Sequence, residues 1–126
     1  VRAARTSKLM CAVSCCTHIV SLAWLLHSSH HNMFIKEDKY ILNMPEFEEI
    51  FQFKLVETMK KPNRRQLFEG RVFYLTPSVV PGRRWLRQII ECAGGIVENK
   101  RRSLAVCKQQ HRSVKLSLLL YNDEFL

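Results

Sequence analysis

Apolar residues along the 126-residue chain change their spacing several times, and each change predicts an element. Over 7–16, Leu9, Ala12, Val13 and Cys16 recur at three- and four-residue intervals beside Lys8, which predicts a short helix with a mixed apolar face. His18, Ile19 and Val20 predict a short β-branched strand. Ser21 stands where a helix N-cap belongs, its hydroxyl available for an orphan N–H, and 22–29 predicts the helix that follows. Leu22, Trp24, Leu25 and Ser28 are its expected buried positions; His27, Ser29, His30 and Asn32 are its polar side. Residues 33–42 show no period and are expected to be irregular or extended.

Pro45 opens a different pattern. Phe47, Ile50, Phe51 and Leu55 recur at helical spacing until Pro62-Asn63. Glu46, Glu48 and Glu49 crowd the first turn, where the helix dipole favours negative charge, and Lys60 and Lys61 gather at the far end. A helical linker over 45–66 is the expected result. From 70 to 75 the sequence reads as a strand, broken by Thr76-Pro77-Ser78. A helix over 81–93 comes next, with Trp85, Leu86, Ile89, Ile90 and Ala93 on one stripe and Arg83, Arg84 and Arg87 off it. Gly94-Gly95 ends it by allowing a left-handed residue. Ile96-Val97 starts a second strand, 100–113 is a polar basic loop, and 114–120 is a third strand with the apolar run of Leu118, Leu119 and Leu120. Strands joined by helix crossovers predict parallel pairing.

Charge separates the two halves. Residues 1–50 carry five basic and five acidic side chains, whereas 51–126 carry the whole net charge of +9. A basic half points to an anionic partner: nucleic acid, an acidic peptide or a phosphopeptide. The apolar fraction of 47% is that of a globular chain, and no apolar run reaches the ~18 residues of a membrane span, so no membrane partner is expected. The interrupted apolar stretch 9–26 does not fit a signal peptide, and the start Val1-Arg2-Ala3-Ala4-Arg5 reads as part of a longer chain. Five cysteines (11, 15, 16, 92 and 107) make an odd count that fits free thiols in a reducing compartment. Cys15, Cys16, His18, His30 and His31 contain no CxxC, and His18 reads as a strand residue, so no metal site is expected. The chain has no Gly-rich phosphate loop, nucleophile elbow or HExxH, so neither an enzyme nor a cofactor is expected.

Two stretches resemble a known family. Residues 70–74 followed by a helix ending Ile89-Ile90-Glu91-Cys92-Ala93-Gly94-Gly95-Ile96-Val97 resemble the opening half of a BRCT domain. His18-Ile19-Val20-Ser21-x-x-Trp24-x-x-x-Ser28 is similar to that family's last strand and Trp-bearing helix. The resemblance implies an α/β fold, a central parallel β-sheet flanked by helices, in two incomplete tandem repeats. Residues 1–44 would be the closing part of a first repeat, 45–66 the linker, and 67–126 the opening part of a second.

The resemblance further implies a module that binds phosphoserine or phosphothreonine peptides in a nuclear DNA-damage, chromatin or transcription-associated protein. The family's Arg-Thr-x-Lys motif falls on Arg5-Thr6-Ser7-Lys8. Lys8 would contact the phosphate, Arg5 the peptide backbone, and Thr6 would support the pocket. The family's remaining phosphate ligands, a hydroxyl and a glycine, would precede residue 1. A near-dianion with acceptor oxygens calls for a cation and N–H donors, and a helix N-terminus supplies partial positive charge. Met10, Val80 and Pro81 are the candidates for the cleft that takes a downstream side chain. The alternative is DNA binding through Lys100, Arg101 and Arg102, or a scaffold that works without phosphate.

Overall fold

The computed structural model describes residues 6–103, 105–106 and, as backbone, 117–120. Two compact units emerge, 1–62 and 63–126.

In the first unit, helix α1 (Ser7–Cys15) ends as expected within one residue, and Cys16 N–H closes its last turn on Ala12 O at 2.8 Å. The expected strand at 18–20 is reduced to a single antiparallel bridge between Val20 and Ile41. Ser21 N–H donates to Tyr40 O at 2.8 Å and Leu42 N–H to Ile19 O at 2.9 Å. Helix α2 (Leu22–His30) begins immediately after Ser21, which stops the ladder at one pair. His18 lies outside it and is exposed. Ser21 occupies the N-cap without a side-chain capping bond, contrary to expectation; its carbonyl accepts Trp24 N–H at 3.1 Å.

Two of the four expected buried positions on α2 are on the surface: Leu22 is 69% exposed and Leu25 53%. The reason lies in what Trp24 and Ser28 bond to. Trp24 Nε1 donates to Ile35 O at 2.8 Å, and Oγ of the buried Ser28 accepts Ile35 N–H at 3.4 Å. These residues, four apart, aim one narrow stripe at the 33–35 segment, and the leucines lie off that stripe.

The helix expected from Pro45 to Pro62 is two helices, α3 (Pro45–Ile50) and α4 (Leu55–Lys60). Gln52 at φ 51° turns the chain between them. Phe53 N–H returns to Glu48 O at 3.1 Å, and the Glu48 carboxylate accepts Leu55 N–H at 2.8 Å, satisfying an orphan donor in the first turn of α4. The turn folds one apolar stripe back on itself. Met44, Phe47 and Leu55 become the buried core of the first unit, with Leu9, Val13, Ile19, Leu42, Phe53 and Met59 packed around them. Ile50, at 71% exposure, is left outside. The stretch expected as an inter-repeat linker therefore divides: 45–62 supplies the core of the first unit, and 63–66 belongs to the second.

The second unit follows the sequence pattern closely. Strands β1 (Val72–Leu75), β2 (Ile96–Glu98) and β3 (Ser117–Leu120) form a parallel sheet in the order β2-β1-β3, with helix α5 (Arg83–Cys92) connecting the first two. Buried Phe73, Leu75, Val79, Ile90 and Val97 form the core, joined by half-buried Phe68 and Leu86. The α5 stripe faces that core, with Ile90 and Ala93 the most deeply buried. Gly94 adopts φ +85°, and a Cβ there would lie 2.7 Å from Arg65 O. Gly95 admits no Cβ for another reason: Ile90 Cγ2 would be 2.6 Å away and Phe73 Cε2 3.1 Å. The Gly-Gly pair thus serves close packing as well as the turn.

The loop expected over 100–113 can be followed only in part. Residues 100–103 lie in neither helix nor strand, 105–106 are helical, and 104 and 107–113 lie outside the described residues. Among the described residues no helix is long and apolar enough to cross a membrane.

Candidate functional site

Helix α1 positions the residues of the Arg-Thr-x-Lys motif that the structure describes. Thr6 is its N-cap, with extended backbone (φ −86°, ψ 155°), and its Oγ1 accepts Leu9 N–H at 3.2 Å. The first intrahelical bond runs from Met10 N–H to Thr6 O at 3.1 Å. Ser7 and Lys8 therefore lie in the first turn, where backbone donors point along the axis without an intrahelical acceptor. Thr6 and Lys8 are both exposed. The first turn of α1 contains no acidic side chain. The positive end of the helix dipole and the Lys8 ammonium thus stand together with no carboxylate of that turn to neutralise them. Arg5 lies outside the described residues.

Met10, one turn in, is half-buried and borders an apolar cavity of about 310 Å³. Leu9, Met10 and Val13 of α1 form one wall; Phe47, Phe51, Phe53 and Thr58 form the other. Phe47 meets Phe53 edge to face (centroids 5.6 Å) and its ring centroid lies 4.5 Å from that of Phe51, so the wall is a cluster of packed rings. The sequence marks Met10 but does not bring these partners to it, and two of them, Phe53 and Thr58, follow the turn at Gln52.

Val80 and Pro81 belong to the other unit, in the segment between β1 and α5, joined by a cis peptide bond. Both are exposed, and neighbouring Val79 is buried in the core. The structure thus brings Thr6, Lys8 and Met10 together on one helix and places Val80 and Pro81 in a separate unit.

Of the basic residues considered for DNA, Arg102 is paired with Glu98. Arg102 Nε donates to Glu98 Oε2 at 2.7 Å, and its Nη2 contacts the other carboxylate oxygen. That fork, first by its hydrogen bonds and then by its charge, holds the Glu98 carboxyl below its ordinary range. Arg87 reaches Asn99 Oδ1 at 2.7 Å and Val97 O at 3.3 Å. Lys100 and Arg101 are exposed. Among the described residues Cys11, Cys15, Cys16 and Cys92 are in no disulfide, and no cluster of three or more metal-ligating side chains occurs.

Comparison with known proteins gives these features a family. The BRCT domain family matches residues 66–124. The chain is 35% identical over 116 residues to PAX-interacting protein 1 of Mus musculus, covering 92% of this chain. It is 34% identical over 136 aligned positions to Mediator of DNA damage checkpoint protein 1 of Homo sapiens, covering 99% of it. It spans only 11% and 6% of those relatives' lengths. Among solved structures, the S. pombe Brc1 BRCT5-BRCT6 domains share its fold, with a TM-score of 0.72, 19% identity, and coverage of 98% of this chain and 59% of that one. With its Gly-Gly turn, parallel β2-β1-β3 sheet and crossover helix α5, the chain belongs to the BRCT family as a partial BRCT fold whose domain match lies at residues 66–124.

Proposed function

We propose that this chain is a protein-interaction module of the nuclear DNA-damage response, and that it reads peptides carrying phosphoserine or phosphothreonine. The DNA-damage setting rests on the relatives, one of which is named as a mediator of the DNA damage checkpoint. The phosphate reading rests chiefly on one observation: Thr6 and Lys8 stand exposed at the start of a nine-residue helix whose first turn has no acidic residue.

A phosphate there accepts from Lys8 Nζ and from first-turn amides, and the Thr6 hydroxyl keeps its hydrogen to donate because its oxygen already accepts from Leu9. Arg5, two residues before Ser7, is the family's peptide-backbone ligand by its place in the motif. The apolar cavity beside Met10 receives an uncharged side chain of the same peptide. Val80 and Pro81, exposed in the second unit, are proposed as peptide contacts by the family resemblance alone. DNA has weaker support, since Arg102 is committed to Glu98.

The test is fluorescence anisotropy with a phosphoserine peptide library and unphosphorylated twins. Phosphorylated peptides bind, and Lys8→Met weakens them about tenfold to a hundredfold, the worth of a charge-assisted contact. Equal binding of both peptide forms, or affinity unchanged by Lys8→Met, refutes the phosphate site.

A further inference from the structure

The segment after β2 carries a feature that phosphopeptide reading does not use. Lys100, Arg101 and Arg102 run directly into Ser103, and Leu104 follows in sequence. Residues 101–103 lie in neither helix nor strand, and Lys100, Arg101 and Ser103 are exposed. Ser103 is held lightly: its Oγ accepts Val106 N–H at 3.4 Å, a long bond.

We propose that Ser103 is a phosphorylation site for a basophilic serine/threonine kinase. Three consecutive cations on its N-terminal side suit a kinase whose substrate groove is acidic. An exposed, irregular backbone can adopt the extended form that such a groove requires. In the reaction the Ser103 oxygen forms a bond to the γ-phosphorus of ATP, the bond from that phosphorus to the β-bridging oxygen breaks, and the hydroxyl proton passes to the kinase's base. The products are phosphoserine and ADP.

The modification acts where it stands. The new group brings about two negative charges and acceptor oxygens next to Arg101 and Arg102, and lowers the chain's +9 to about +7. Arg102 is now bound to Glu98, four residues back at the end of β2. A phosphate one residue away competes for the same guanidinium with greater charge. Phosphorylation thus exchanges one partner of Arg102 for another and neutralises the exposed cations of this loop, while the α1 site in the other unit keeps its composition.

The experiment incubates the whole chain with ATP and either a basophilic or an acidophilic kinase, then maps phosphate by mass spectrometry. Wild type, Ser103→Ala and the double variant Lys100→Ala/Arg101→Ala are compared. The basophilic kinase phosphorylates Ser103 in wild type, the Ser103→Ala chain carries no phosphate at that position, and the double variant is modified about tenfold or more slowly for loss of two charge-assisted contacts. Absence of phosphate on Ser103 overturns the proposal. So does a rate unaffected by the double substitution, or an equal rate with the acidophilic kinase.

Discussion

The two units are built on different terms. In the second, neighbours in sequence become neighbours in the core: β1, α5 and β2 follow one another, and Phe73, Leu75, Ile90 and Val97 meet across that single crossover. In the first, the core depends on a chain reversal. Met44, Phe47 and Leu55 come together because Gln52 turns and Glu48 reaches across to Leu55 N–H. The contrast teaches that regular spacing specifies a unit when it is interrupted only by recognisable turns. Where the turn is made by an ordinary residue at positive φ, the same spacing misleads.

Core truncation costs each unit the most stability. Phe73→Ala removes a ring that is 3% exposed, at a cost of about 3–5 kcal/mol, and Leu55→Ala, at 1% exposure, costs about 2–5 kcal/mol. Hydrogen exchange should show each substitution releasing amides in its own unit first. Simultaneous loss in both units from either substitution would show that they unfold as one.

Gly95→Ala has a smaller effect confined to the second unit. A methyl group 2.6 Å from Ile90 Cγ2 must displace that side chain, at about 1–3 kcal/mol by thermal or chemical denaturation. An unchanged midpoint would mean that α5 and Phe68 adjust at little cost.

The chain reversal in the first unit has a pH signature. Hydrogen bonding from Leu55 N–H, then from Lys54, holds the Glu48 carboxyl below its ordinary value of 4.5. A carboxylate depressed in the folded state stabilises it fully above the unfolded value, and that contribution disappears as pH falls through the folded value. The first unit should therefore lose stability below about pH 4.5, and Glu48→Gln should flatten that part of its pH profile. Identical acid profiles for the two proteins would remove Glu48 from this role.

How far the sequence reveals the fold follows the same division. The strand at 72–75, helix α5, the Gly-Gly turn and the start of β2 are legible because each has its own period and its own stop. Helix α1 is legible for the same reason. The break at 51–54 is not, since Phe47, Ile50, Phe51 and Leu55 fit one uninterrupted helix and neither Gly nor Pro marks Gln52. Leu22 and Leu25 mislead because Trp24 and Ser28 take their orientation from hydrogen bonds to Ile35, eleven and seven residues away. At the candidate site, Thr6 and Lys8 are readable from the motif and Met10 from its place one turn later. Of the aromatic wall facing Met10, Phe53 is placed by the unforeseen reversal.

Phosphopeptide binding by this chain stands or falls with a phosphate held at the start of α1. NMR amide shifts of the whole chain, titrated with a phosphoserine peptide and its unphosphorylated twin, test it most directly. A phosphate at this place gives phosphate-dependent shifts at Thr6, Ser7, Lys8 and Leu9, with smaller ones around Phe47 and Phe53 where the cavity lies. Shifts centred on Lys100 and Arg101, or the same shifts from both peptides, would contradict it.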